Sequence, residues 1–172
     1  MTQPALPFDP TRSLQDQYGP NTRCFGCGPA NEKGLRIKSM VRATGEGKEQ
    51  GDELVATFKP EPHHNAFDGV LNGGICGALL DCHSNWAGAW AIAQATGASE
   101  FPCTVTADFA VRLKRPTPMD KEITLRARTV KLSDDKRIAT VEATLEAGGK
   151  ITATCTGTFV AVQEGHPGWH RW

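Results

Sequence analysis

The chain has 172 residues, 39% apolar and 22% charged, with 19 basic residues balanced by 19 acidic ones. That length fits a single hydrophobic core, and a net charge of zero leaves no global field to attract nucleic acid, so any anion site must be a local patch. No stretch reaches the roughly 18 apolar residues of a membrane helix and no charged-then-apolar leader opens the chain, so a cytoplasmic protein without membrane association is expected, its six cysteines reduced.

Residues 1–34 are rich in Pro, Gly, Asn and Asp and read as an irregular arm that packs on the domain or stays mobile. Leu35, Ile37 and Ser39 alternate with Arg36 and Lys38, and a second apolar run spans Leu54 to Phe58; these read as two strands joined by a polar loop. From Gly73 to about Ala95, Ile75, Leu79, Cys82, Trp86 and Trp90 recur at three- and four-residue spacing. Cys76, Leu80, Ala87 and Ala91 widen that face, which predicts a long helix buried on more than one side and stopped by Gly97.

Val105, Ala107, Phe109, Val111 and Leu113 then fall on one face of a strand, with Thr104, Thr106, Asp108, Ala110 and Arg112 on the other. Runs at Glu122–Val130, Arg137–Glu146 and Lys150–Val162 are separated by Ser133-Asp134-Asp135 and Ala147-Gly148-Gly149, both turn signals, and predict an antiparallel meander. The implied fold class is α+β, an antiparallel sheet curled round one long helix over residues 35–162. Residues 163–172 form a basic, aromatic tail.

Two segments carry chemistry. Gly73 and Gly74 open the helix, where free N–H groups and the positive end of the helix dipole suit a developing oxyanion; a tight turn is the structural alternative. Asp81 falls mid-helix among Leu79, Leu80, Trp86 and Ala87. An unpaired carboxylate is costly to bury there, which marks Asp81 as a general-base candidate, the alternative being a solvated stripe. Asp81 lies eight residues beyond Gly73, roughly 12 Å along a helix axis. One carbonyl cannot easily meet both groups within one subunit, so they are expected to come from different subunits.

The run from Leu71 through Asn72, Gly73 and Gly74 to Leu79, Leu80 and Asp81 resembles the signature of hotdog-fold acyl-CoA thioesterases of the phenylacetate-degradation type. There a His- or Asn-Gly-Gly precedes a helix carrying Leu-Leu-Asp. Cys24-Phe25-Gly26-Cys27-Gly28-Pro29-Ala30-Asn31 resembles the lead-in of a subset of that family. The resemblance implies hydrolysis of acyl-CoA to free acid and coenzyme A by a homodimer or homotetramer with paired sites at the interface. No metal and no cofactor beyond the substrate's own coenzyme A are then needed. It also implies that Thr106, ten residues before Pro116, positions the water, and that Asn65 contacts the thioester or the water. Asn72 stands where many members carry His; it can bind substrate or fix the loop but is neither acid nor base near neutral pH.

Arg112, Lys114 and Arg115 form a basic cluster suited to the phosphates of coenzyme A, and Lys131, Lys136 and Arg137 form another. Phe67, Trp86, Trp90 and Phe101 are candidates for the acyl pocket, although aromatics at helical spacing also fit a core. Three rivals remain. A metal or redox module on Cys24 and Cys27 lacks a second Cys-X-X-Cys, with His63, His64, Cys82, His83 and Cys103 scattered along the chain. A hotdog protein could bind acyl-CoA without turnover. A hydratase would need a catalytic His, and His83 lies two positions from Asp81, on a different helix face.

Overall fold

The computed structural model describes residues 6–42 and 52–170. In chain order the elements are α1 (Leu14–Tyr18), β1 (Met40–Arg42), β2 (Glu53–Phe58), β3 (Asn65–Phe67), β4 (Val70–Leu71), α2 (Gly73–Thr96), β5 (Thr104–Leu113), β6 (Ile123–Leu132), β7 (Ile138–Ala147) and β8 (Lys150–Ala161). Six strands form one antiparallel sheet in the order β1-β2-β6-β7-β8-β5, and β3 with β4 makes a separate small hairpin. The polar loop expected between the first two strands falls at 43–51, outside the described residues.

Helix α2 begins where Asn72 caps it and ends where Gly97 adopts φ 61°, a left-handed conformation that glycine takes without a Cβ penalty. Its Ala- and Leu-rich body is buried on both sides. Leu79, Leu80, Trp86 and Ile92 join the core with Leu125, Val141, Leu145 and Phe159 from the sheet. The N-terminal segment supplies the other cover: Leu14 and Cys27 belong to the same core, and Phe8 packs its ring 4.6 Å from that of Trp90. Of the two states expected for the arm, packing on the domain is the one found over residues 6–34.

Three details differ from the sequence expectation. The alternation at 35–39 does bury Leu35, Ile37 and Ser39, but this stretch is not a sheet strand. Arg36 has φ 49°, and the Leu35 and Ile37 N–H groups donate to Phe25 and Gly26 of the arm, so sheet pairing starts only at Met40. The β3–β4 hairpin, set directly before α2, carries too little periodicity to be read from sequence. Finally, β5 shifts register between Thr106 and Asp108. The extra residue reverses side-chain parity, so Thr104 and Thr106 face α2 together with Phe109 and Leu113, not opposite them. No helix among the described residues is long and apolar enough to cross a membrane.

Candidate active site

Asp81 sits in the middle of α2 with its carboxylate turned to β5, where the Thr106 hydroxyl donates to Asp81 Oδ1 at 2.8 Å. Asn85, one turn further along α2, completes the arrangement. Its Nδ2 donates to Thr106 Oγ1 at 3.4 Å, and its Oδ1 accepts from Thr104 Oγ1 at 2.6 Å. Because Thr106 accepts from Asn85, its own proton is directed at the Asp81 carboxylate. The Asp81 charge reaches β8 as well: burial first, and then Asp81, raise the Cys155 thiol to about 11.

Asp81, Asn85, Trp86 and Thr106 line a cavity of about 50 Å³ together with Cys24, Cys27 and Cys82. A water needs roughly 10–15 Å³ of such space, so the cavity admits water beside the carboxylate but no acyl chain. The sequence reading missed Asn85. Its signal is the four-residue step from Asp81, which puts both on one helix face, but Asn85 gains meaning only once β5 is known to lie opposite.

At the N-terminus of α2, Asn72 Oδ1 accepts from the Gly74 N–H at 2.8 Å and from the Ile75 N–H at 3.3 Å. This corrects the expectation that both glycines offer oxyanion donors: the Gly74 N–H is held by the cap, which leaves that of Gly73 as the candidate. Beside it lies a second cavity of about 330 Å³, walled by Phe67, Val70, Leu71 and Leu113 and rimmed by Lys114 and Arg115. Asn65, exposed on β3 and paired with Leu71 of β4, stands next to the same helix end.

No protein-family model and no curated protein sequence matches the chain. Solved structures do. A thioesterase superfamily protein from Shewanella loihica superposes with TM-score 0.58 at 29% identity, over 78% of this chain and 98% of its own. A thioesterase from Haemophilus influenzae gives TM-score 0.59 at 22% identity over 77% and 84%. A phenylacetic acid degradation-related protein from Ralstonia eutropha gives 0.55 at 22% over 72% and 84%. The chain has the hotdog fold of the thioesterase superfamily. The Haemophilus and Ralstonia structures share the fold, and the 29% identical Shewanella protein supports thioester hydrolysis as the general class of chemistry for this hotdog protein.

Within the hotdog the remaining candidates separate. Lys114 and Arg115 border the cleft at the helix N-terminus, but alternation along β5 turns Arg112 to the opposite sheet face. Phe67 lines that cleft, whereas Trp86 is fully buried, stacked on Phe101 at 5.2 Å, and Phe101 in turn stacks on Tyr18. Trp90 donates to Asp52 at 2.9 Å. The helical aromatic stripe is therefore core, with Trp86 closing the back of the Asp81 cavity and not the wall of an acyl pocket.

His83 is fully buried: its Nε2 donates to the Leu54 carbonyl at 3.0 Å, and its Nδ1 accepts from Ser39 Oγ at 2.8 Å. Desolvation lowers it to about 4, so it is a neutral structural group, not a hydratase acid or base. The cysteines, by contrast, are not all scattered. The fold brings Cys82 of α2 against Cys24 and Cys27 of the arm, with all three sulfurs within 4.8 Å of one another.

Proposed function

We propose that the chain hydrolyses acyl-CoA thioesters at a site shared between two copies. The reading rests on one observation, the carboxylate of Asp81 held by Thr106 beside a cavity that admits water. In this scheme Asp81 takes a proton from that water, whose oxygen attacks the carbonyl carbon. The oxyanion is received by the Gly73 N–H of the second copy, and its collapse breaks the C–S bond and expels coenzyme A, whose sulfur takes the proton held by Asp81 and leaves as the thiol. The acyl group occupies the cleft of Phe67, Val70 and Leu113, and Lys114 and Arg115 take the phosphates.

The need for a second copy comes from one helix carrying both groups, Gly73 at its start and Asp81 two turns on, in separate cavities. Strand β5 ends the sheet, and Phe67, Phe109 and Leu113 near it are 64%, 45% and 56% exposed. Antiparallel pairing of two β5 strands about their middle would set Thr106 of one copy against the Val111–Leu113 segment of the other. Leu113 packs on Gly73, so that pairing carries the helix N-terminus to the partner's carboxylate.

A thiol-release assay against short, medium, long-chain and aryl acyl-CoA esters tests the reading. Wild-type turnover that falls by about 100-fold or more in Asp81→Asn, with folding and CoA binding intact, supports it. A second reading, binding of acyl-CoA without turnover, is favoured by the capped Gly74 N–H, which leaves a single oxyanion donor. Saturable CoA-ester binding with no thiol release from any ester would select it.

A further inference from the structure

Cys24, Cys27 and Cys82 form a cluster of three sulfurs that the thioesterase scheme does not use. Cys24 and Cys27 flank a tight loop in which the Gly28 N–H donates to the Cys24 carbonyl at 2.9 Å, and the backbone N–H groups of Gly26 and Cys27 are directed at Cys24 Sγ. Gly26 lets this loop lie against α2, because a Cβ there would come 2.4 Å from Cys82 Sγ. Cys24 Sγ and Cys82 Sγ are 3.6 Å apart. With Zn–S bonds of about 2.3 Å, two corners of a tetrahedral zinc site stand about 3.8 Å apart, so this thiol–thiol contact, with all three sulfurs within 4.8 Å of one another, lets them reach one ion with little movement. A disulfide would use two sulfurs and leave the third unexplained.

We propose that Cys24, Cys27 and Cys82 bind one zinc ion as thiolates, with the fourth position open to water from the adjoining cavity. Asp81 and Thr106 line that cavity, but the Asp81 carboxylate is not part of the mutual cluster of sulfurs, so water and not Asp81 completes the tetrahedron. Soft thiolates select zinc over magnesium or calcium, and three cysteines fall short of the four that an iron–sulfur cluster takes. Each thiol gives its proton to solvent as the ion binds. Bound zinc would pin the 24–27 loop to α2 immediately beside Asp81.

The full chain, purified in reductant, is assayed for metal by mass spectrometry, then stripped with chelator and titrated anaerobically with zinc and with cobalt. The expected results are close to one zinc per chain and a cobalt spectrum with thiolate charge-transfer and tetrahedral d–d bands. Chelation should lower the melting temperature and zinc should restore it. Cys24→Ser, Cys27→Ser and Cys82→Ser should each lose the cobalt bands, with circular dichroism checking that the variants fold. The proposal is overturned if reduced wild-type protein binds no stoichiometric zinc and cobalt stays octahedral. It is equally overturned if metal-free protein isolated in reductant carries a disulfide among these residues, or if a variant with Cys24, Cys27 and Cys82 all replaced by Ser retains the metal. None of these readouts depends on thioester hydrolysis.

Discussion

A half-buried carboxylate in the middle of a helix needs hydrogen-bond partners, and Asp81 finds one across the gap to β5 in Thr106, itself held by Asn85. A hydrogen bond to a charged group contributes about 1.5–3 kcal/mol, so Thr106→Val should lower kcat by roughly 10- to 100-fold with KM little changed. Steady-state kinetics on the preferred acyl-CoA check this; an unaltered kcat would remove Thr106 from the mechanism. Isotope tracing separates water attack from direct attack by Asp81. Direct water attack leaves the Asp81 carboxylate unlabelled after a single turnover in ¹⁸O-water, whereas label in that carboxylate would establish an anhydride opened at the Asp81 carbon. Asp81 was legible in the sequence because an acidic residue among Leu79, Leu80 and Trp86 breaks an apolar pattern. Asn85 and Cys82 break no pattern. Their roles depend on partners distant in the chain, Thr106 and Thr104 for one and Cys24 and Cys27 for the other.

Among the elements, α2 was legible over nearly its whole length, since apolar periodicity from Gly73 and a terminal Gly97 agree with its limits, whereas its Asn72 cap emerged only from the structure. Asn72→Ala should destabilise the chain by about 1 kcal/mol in urea unfolding by removing the cap on Gly74 and Ile75. Strand β5 was legible as a strand but not in its facing. A bulge is a backbone feature with no fixed residue signature, and this one turns Thr106 toward α2. The edge of β5 is where the second copy is expected. Phe109→Lys should shift the protein to monomer in light scattering and abolish thiol release, whereas a monomeric variant with full activity would refute the shared site.

At the scale of the whole molecule, the helix and its sheet were legible, but the part played by the N-terminal segment was not. A segment without period gives no sign that it covers the second face of α2, joining it through Gln15, Ser39 and His83. That network makes stability depend on pH. His83 falls from an ordinary 6.5 to about 4 in the folded chain because burial disfavours its charge. The unfolded chain therefore takes up a proton below pH 6.5 that the folded chain refuses. Stability is full above that pH and declines, by on the order of 3 kcal/mol, as pH falls toward 4. Urea unfolding across this window should show the slope in wild type and a flatter one in His83→Gln.

Subunit complementation tests the shared site most directly. Gly73→Pro removes the Gly73 N–H at the first position of α2, where proline is tolerated, and Asp81→Asn removes the base. Each variant alone should be inactive. Unfolded and refolded together, they should regain about a quarter of wild-type turnover, because random assortment makes half the dimers mixed, each with one intact site of two. No recovery, despite demonstrated mixed dimers, would place both groups in one subunit and contradict the account.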